Sequence, residues 1–157
     1  MNALPPPAIY CQASLSSLVK EDAALDAIAM YESNNVDKTV GAKGELGRWQ
    51  LSYDTWRIYT DASFDLAFDY KTANRVARTH FEFLAEKLQH MADSPESLVY
   101  LIAAAWCSGW RNVNDGYISP GAVKEAESVV NLYISATTGP KKNLRVTPKK
   151  HEKSPDV

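Results

Sequence analysis

Residues 23–56 read AALDAIAMYESNNVDKTVGAKGELGRWQLSYDTW. Leu25, Ile28, Ala29 and Glu32 stand at i, i+3, i+4 and i+7, which places them on one face of a helix. Three are apolar, and the fourth, at the end of the stripe, is a carboxylic acid. Where an apolar face meets a loop, a carboxyl loses part of its hydration. The ionised form is then disfavoured and the pKa rises, which is what a general acid needs near neutral pH. A glutamate rotated out to solvent at a helix terminus satisfies the same spacing.

Outward from this stretch the chain reads as a succession of helices. The first spans Leu15 to Glu32, and Ser33-Asn34-Asn35 favours its termination because short polar side chains compete for backbone hydrogen bonds. Residues 34–48 are irregular, with Gly41, Gly44 and Gly47 at a three-residue interval. They read as a glycine-rich loop or small hairpin whose backbone can turn tightly or approach a ligand. A phosphate-binding loop is excluded, since the Lys-Ser/Thr ending and a preceding apolar strand are both missing. Ser52 can cap a short helix through Tyr59. Ala73, Val76, Ala77, His80, Phe81, Leu84, Leu88 and Met91 mark a long amphipathic helix over 70–91, with His80 as a packed core histidine. Ser94-Pro95 is a helix start, and Glu96 to Ser108 is apolar nearly all round, which predicts a helix buried at the centre of the domain. Gly109 ends it. Ser119-Pro120 opens a last helix, outlined by Val123, Glu127, Val130 and Ile134 and closed by Gly139-Pro140. The fold class is mainly α: a helical globule over residues 15–139, preceded by an extended arm over 1–14 with Pro5-Pro6-Pro7.

The 157 residues suit one domain with a core that needs neither disulfides nor metal. A hydrophobic fraction of 45% and a charged fraction of 23% are those of an ordinary globular chain. The net charge of -2 is unevenly spread: residues 140–157 carry +4, which leaves -6 on residues 1–139. The tail reads as basic and disordered. A nucleic-acid partner would rest on that tail alone, against an acidic body, so none is expected. No run reaches the length of a membrane span. No cofactor is implied, and three histidines without ligand spacing give no metal site. Cys11 and Cys107 read as free thiols, with pairing left open. The N-terminus has neither a basic start nor an apolar core, so export would use another route or follow removal of a leader.

Glu32, Glu45 and Gln50, with the aromatic residues Trp49, Tyr53, Trp56 and Trp106, suit a carbohydrate. Flat rings stack on sugars, amides bond hydroxyls, and an acid can protonate a glycosidic oxygen. Taken singly, Trp49 and Trp56 read as core and Gln50 as a helix cap sooner than as sugar contacts.

The order of the motifs narrows the choice. Glu32-Ser33, then Gly44-Glu45-x-Gly47-x-x-Gln50, then Thr55-Trp56, a long helix, and Ala103-Ala104-Ala105-Trp106-Cys107-Ser108-Gly109 resemble the soluble lytic transglycosylase family. That family belongs to the lysozyme-like superfamily, and the resemblance covers about residues 18–135. The run Trp49-Gln50-Leu51-Ser52-x-x-Thr55-Trp56 is also similar to the resuscitation-promoting-factor branch. The family's later motif commonly reads Ala-Tyr-Asn-Ala-Gly, where this chain has Ala105-Trp106-Cys107-Ser108-Gly109.

The resemblance implies a lysozyme-like helical domain with the glycine-bearing loop lining a sugar cleft. It implies cleavage of the β-1,4 bond between N-acetylmuramic acid and N-acetylglucosamine in peptidoglycan, with Glu32 as the catalytic acid. Ser33, Trp49, Gln50, Tyr53 and Trp106 would contact the glycan strand. The site of action would be the cell envelope, periplasm or exterior, and the protein a monomer. Glu45 admits a second route, a muramidase in which it stabilises positive charge or activates water; as a plain loop carboxylate it would bond backbone N–H groups. A non-catalytic wall-binding module, for instance in a phage or secretion apparatus, and a chitinase of the same fold are the remaining readings.

Overall fold

A computed structural model describes residues 14–139; the expected arm, the basic tail and Cys11 lie outside them. In chain order the helices are α1 (Leu15–Leu18), α2 (Glu21–Ser33), α3 (Tyr53–Tyr59), α4 (Tyr70–Leu88), α5 (Pro95–Ser108), α6 (Trp110–Asn114) and α7 (Pro120–Thr138). Short 3-10 turns cover Phe64–Phe68 and Gln89–Met91. The fold is mainly α, and pairing in the described residues is limited to isolated bridges, Val40 with Leu46 and Leu46 with Leu51.

Helix α5 is the hub. The Ser94 hydroxyl accepts from the Ser97 amide and the Ser97 hydroxyl from the Ser94 amide. Two orphan donors at the helix start are thereby satisfied, with Pro95 in the first turn. Leu98, Val99, Ile102 and Ala103–Ala105 are buried, and the helix packs on α7, α6 and α4. Gly109, at φ 83° and ψ 142°, ends it in a positive-φ conformation that favours glycine.

Two sequence expectations need correction. The first helix is broken: Val19 and Lys20 are extended, so α1 and α2 are separate. The reason is tertiary, because the Lys20 amide donates to the Tyr133 hydroxyl of α7 at 3.1 Å instead of continuing the helix. On α7 the buried stripe is Ala122, Glu125, Ala126, Val129 and Tyr133, with Glu127 exposed and Val123, Val130 and Ile134 only partly covered. This helix lies against α5 and α2 together. The alanines on these surfaces favour close approach, which selects the small residues of α7 for the contact.

Helix α2 ends where two consecutive asparagines, Asn34 and Asn35, adopt left-handed φ values of 53° and 63°. Their amides return to the carbonyls of Met30 and Ala29. The chain then folds back as an irregular segment clamped on the helix. The Ser33 hydroxyl donates to the Arg48 carbonyl at 2.7 Å, and Arg48 pairs with Asp37 at 2.7 Å. The Trp49 indole is inserted into the core, 1% exposed, and donates to the Leu25 carbonyl at 3.0 Å. Gly47, at φ 82°, is so close to the Ala67 carbonyl that a Cβ there would collide with it.

Gly47→Ala is expected to cost roughly 1–3 kcal/mol in urea denaturation, since strain and collision combine. Gly44→Ala, at φ 87° but in open space, tests strain alone and should cost only about 1 kcal/mol. Equal losses would mean that the Ala67 backbone yields freely.

Candidate active site

Helix ends and the irregular segment enclose a cleft of about 920 Å³. The C-terminus of α2 contributes Glu32, α7 contributes Glu125, and the end of α5 contributes Ala105, Trp106 and Cys107. Gly41–Lys43, Glu45 and Gln50–Ser52 form another wall, with Thr55, Ile58 and Tyr59 of α3. His80, Phe83, Leu84 and Lys87 of α4 continue it to Trp110 and Arg111.

Two carboxyls meet on the inner side. Glu125 is 4% exposed, and its Oε1 has no hydrogen-bond partner among the described residues. Burial pushes the Glu125 carboxyl up from its ordinary range, while Glu32 and the Cys107 thiol, acting as donors to it, partly offset that rise. Glu32 is pushed up to about 9, first by burial, then by the negative charge of Glu125, by the proton it shares with Glu125, and by Glu45. Two acids so placed cannot both ionise without leaving like charges unscreened, so one proton is retained across neutral pH. Burial raises both carboxyls, and the charge of Glu125 raises Glu32 further, so the proton belongs to the pair. The Cys107 thiol, raised to about 11 by burial and by Glu125, stays protonated and is a weak nucleophile.

The other predicted residues divide into two groups. Glu45, Gln50 and Trp106 line the cleft, but each is already tethered. Glu45 accepts the Lys43 amide at 3.0 Å. Gln50 donates its amide to the carbonyls of Thr39, at 3.2 Å, and Gly47, at 2.8 Å. The Oε1 of Gln50 and the carboxylate of Glu45 crowd Gly41, where a Cβ would collide with both. Trp106 donates to the Trp49 carbonyl at 3.0 Å and lays its ring against His80, centroids 4.7 Å apart.

Ser33, Trp49 and Tyr53 do not line the cleft. Ser33 is buried, with its hydroxyl bonded to the Ala29 and Arg48 carbonyls. Trp49 is a core residue for the same reason that its indole N–H has an internal partner. Tyr53 is 57% exposed and packs edge-on against Phe64. Ser33 and Trp49 bear on the site only through its scaffold. Conversely, His80 faces the cleft as well as the core. Burial drives its pKa down to about 4, so it is neutral, and the Tyr59 hydroxyl lies 3.0 Å from its Nδ1.

Glu125 is not among the residues that the sequence motifs mark, although its position carries a signal. Ala122, Glu125, Ala126, Val129 and Tyr133 stand at i, i+3, i+4, i+7 and i+11, a helical stripe with one acid in it. No family model, curated protein or solved structure matches the chain. In the described residues no three His, Cys, Asp or Glu side chains are grouped to hold a metal ion.

The acid pair makes folding pH-dependent. Glu32 has a folded pKa above its unfolded value, so between about pH 4.5 and 9 the native state binds more protons than the unfolded chain. Its contribution is fully present below that window and is lost as pH rises through it. Stability should therefore fall from about pH 5 to about pH 9 in thermal denaturation. Glu125→Gln, whose amide can donate to an ionised Glu32, should flatten that fall. An unchanged slope would show that the two groups do not share a proton.

Proposed function

We propose that the protein is a peptidoglycan-cleaving enzyme of lysozyme-like design, a lytic transglycosylase with Glu32 as general acid and then base. The observation that carries this reading is the placement of Glu32, at the end of α2, in a cleft of ligand size that it shares with the buried Glu125, a setting that raises its pKa. The ordered motifs around Glu32 supply the substrate class, the glycan strand of the cell envelope.

The Glu32 proton passes to the oxygen of the β-1,4 bond, and the bond from that oxygen to the anomeric carbon breaks. Positive charge grows on the muramic acid ring while Glu32 becomes a carboxylate. Beside Glu125 that carboxylate is a strong base, since burial and like charge both favour taking a proton back. It removes the proton of the 6-hydroxyl, whose oxygen bonds to the anomeric carbon and closes a 1,6-anhydro ring. Glu32 ends protonated, and no water is consumed. Neutral His80, against Trp106, fits a wall that positions the sugar without adding a charge.

A muramidase is the second reading, and Glu45 is what favours it. It lines the same cleft, is held by the Lys43 amide, and its charge is felt at Glu32. A water activated there would yield a reducing end in place of the anhydro ring.

Purified sacculi digested with wild type should release muropeptides, and Glu32→Gln should lower release by roughly 10²- to 10⁴-fold, the usual range for a general acid. Mass spectrometry of the termini separates anhydro from reducing ends. Activity should decline as pH rises through about 9, where Glu32 loses its proton. Full release by the mutant would remove Glu32 from the reaction, and binding to sacculi without release by wild type would make the protein a wall-binding module.

A further inference from the structure

Proton transfer at Glu32 leaves the far stretch of the cleft without a role. Beyond His80, which bounds the sugar wall, Phe83, Leu84 and Lys87 line it at i+3, i+4 and i+7 on α4. At 1.5 Å per residue, Lys87 stands about 10 Å along the helix from His80. Trp110 and Arg111 face the same space from just beyond the end of α5.

The charges that bear on Glu32 are those of Glu125 and Glu45, and Lys87 and Arg111 are not among them. Glu32, Glu45 and Glu125 gather at the end of α2, with Lys43 near them. Lys87 and Arg111 converge on one indole of the lining. The Lys87 ammonium is 5.8 Å and the Arg111 guanidinium 5.6 Å from the Trp110 centroid. Phe83 meets Trp110 edge-on at 6.1 Å and also carries Lys87 at 5.5 Å. In the described residues, neither cation is within ion-pairing distance of a carboxylate. Two like charges around one ring, neither held in a salt bridge, raise the local potential and favour an anion.

Resting on the peptidoglycan reading, we propose that Lys87, Trp110, Arg111 and Phe83 form a subsite for the carboxylates of the peptide stem carried by muramic acid. A stem carboxylate accepts from the Lys87 ammonium and the Arg111 guanidinium, while the aliphatic part of the stem covers the Trp110 face. The cleft thus recognises a peptide-bearing strand, and an uncharged sugar polymer such as chitin leaves the cations unanswered. The acids near Glu32 repel the same carboxylates, which fixes the direction in which the strand lies.

The test is a binding measurement, so that it does not depend on turnover. Calorimetric titrations of the Glu32→Gln protein use three probes: a disaccharide muropeptide with free stem carboxylates, the same muropeptide with those carboxylates amidated, and a chitin tetramer. The free acid should bind roughly tenfold more tightly than the amide, about 1.4 kcal/mol for two partly exposed charges. That preference should shrink between about 50 and 300 mM salt. It should vanish in Lys87→Gln/Arg111→Gln and survive in Lys87→Arg; both sites are on the surface and leave the core intact. Equal binding of acid and amide, a preference retained by the double variant, or no binding of either muropeptide overturns the subsite. Cleavage of sacculi by wild type is scored separately. A protein that cleaves without discriminating loses the subsite and keeps the reaction, and one that discriminates without cleaving loses the reaction and keeps the subsite.

Discussion

Insertion of Trp49 into the core is the contact on which the rest of the molecule depends. The indole N–H reaches the Leu25 carbonyl in α2, and the Trp49 carbonyl receives the Trp106 indole of α5, each at 3.0 Å. One residue of an irregular segment is thereby tied to both helices whose ends bear the cleft. Because an indole N–H in an apolar core must find a partner, the depth and the orientation of the ring are fixed together. The segment cannot slide without breaking both bonds, and Gly47 and Gln50, on either side of the anchor, accept positive φ to keep it there. Glu45 and Gln50 face the cleft because Trp49 does not.

This placement explains why acids can be buried at all in a small helical domain. A carboxylate deep in α7 would be strongly unfavourable if ionised and unpaired. Here it faces another carboxyl, from the end of α2, and a thiol, from the end of α5. Burial raises both carboxyls, and the pair retains a proton that formal ionisation would remove. Stability at alkaline pH is given up for an acid that is ready to donate at neutral pH. Such a conflict between folding and proton chemistry is typical of functional sites. The lining of the cleft also shows a milder conflict, two cations around one indole, and its exposure to solvent keeps the cost small.

Helix boundaries were largely legible in the sequence. Ser52, Ser94 and Ser119 each cap the helix they precede, and the all-apolar run through Ala105 lies at the centre. These features are local or follow directly from hydrophobic patterning. The break at Val19–Lys20 was not legible, because the Tyr133 hydroxyl that causes it is 113 residues away. The tilt of α7 was also hidden: Val123, Val130 and Ile134 are the more hydrophobic choice, yet close packing on alanines selected a smaller-faced stripe.

The candidate site divides along the same line. Glu32 could be singled out because its position depends only on helical spacing and on a stop signal two residues later. Trp49 and Tyr53 carry the same aromatic signal as Trp106, and only tertiary packing decided that one is core, one is surface and one lines the cleft. The proton on Glu32 belongs to that second class. By itself the sequence determined a mainly helical domain with an acid at the end of an apolar stripe. The tertiary structure alone brought Glu125 to it from 93 positions further along the chain, since the pKa of a buried carboxyl is set by neighbours in space and not in sequence.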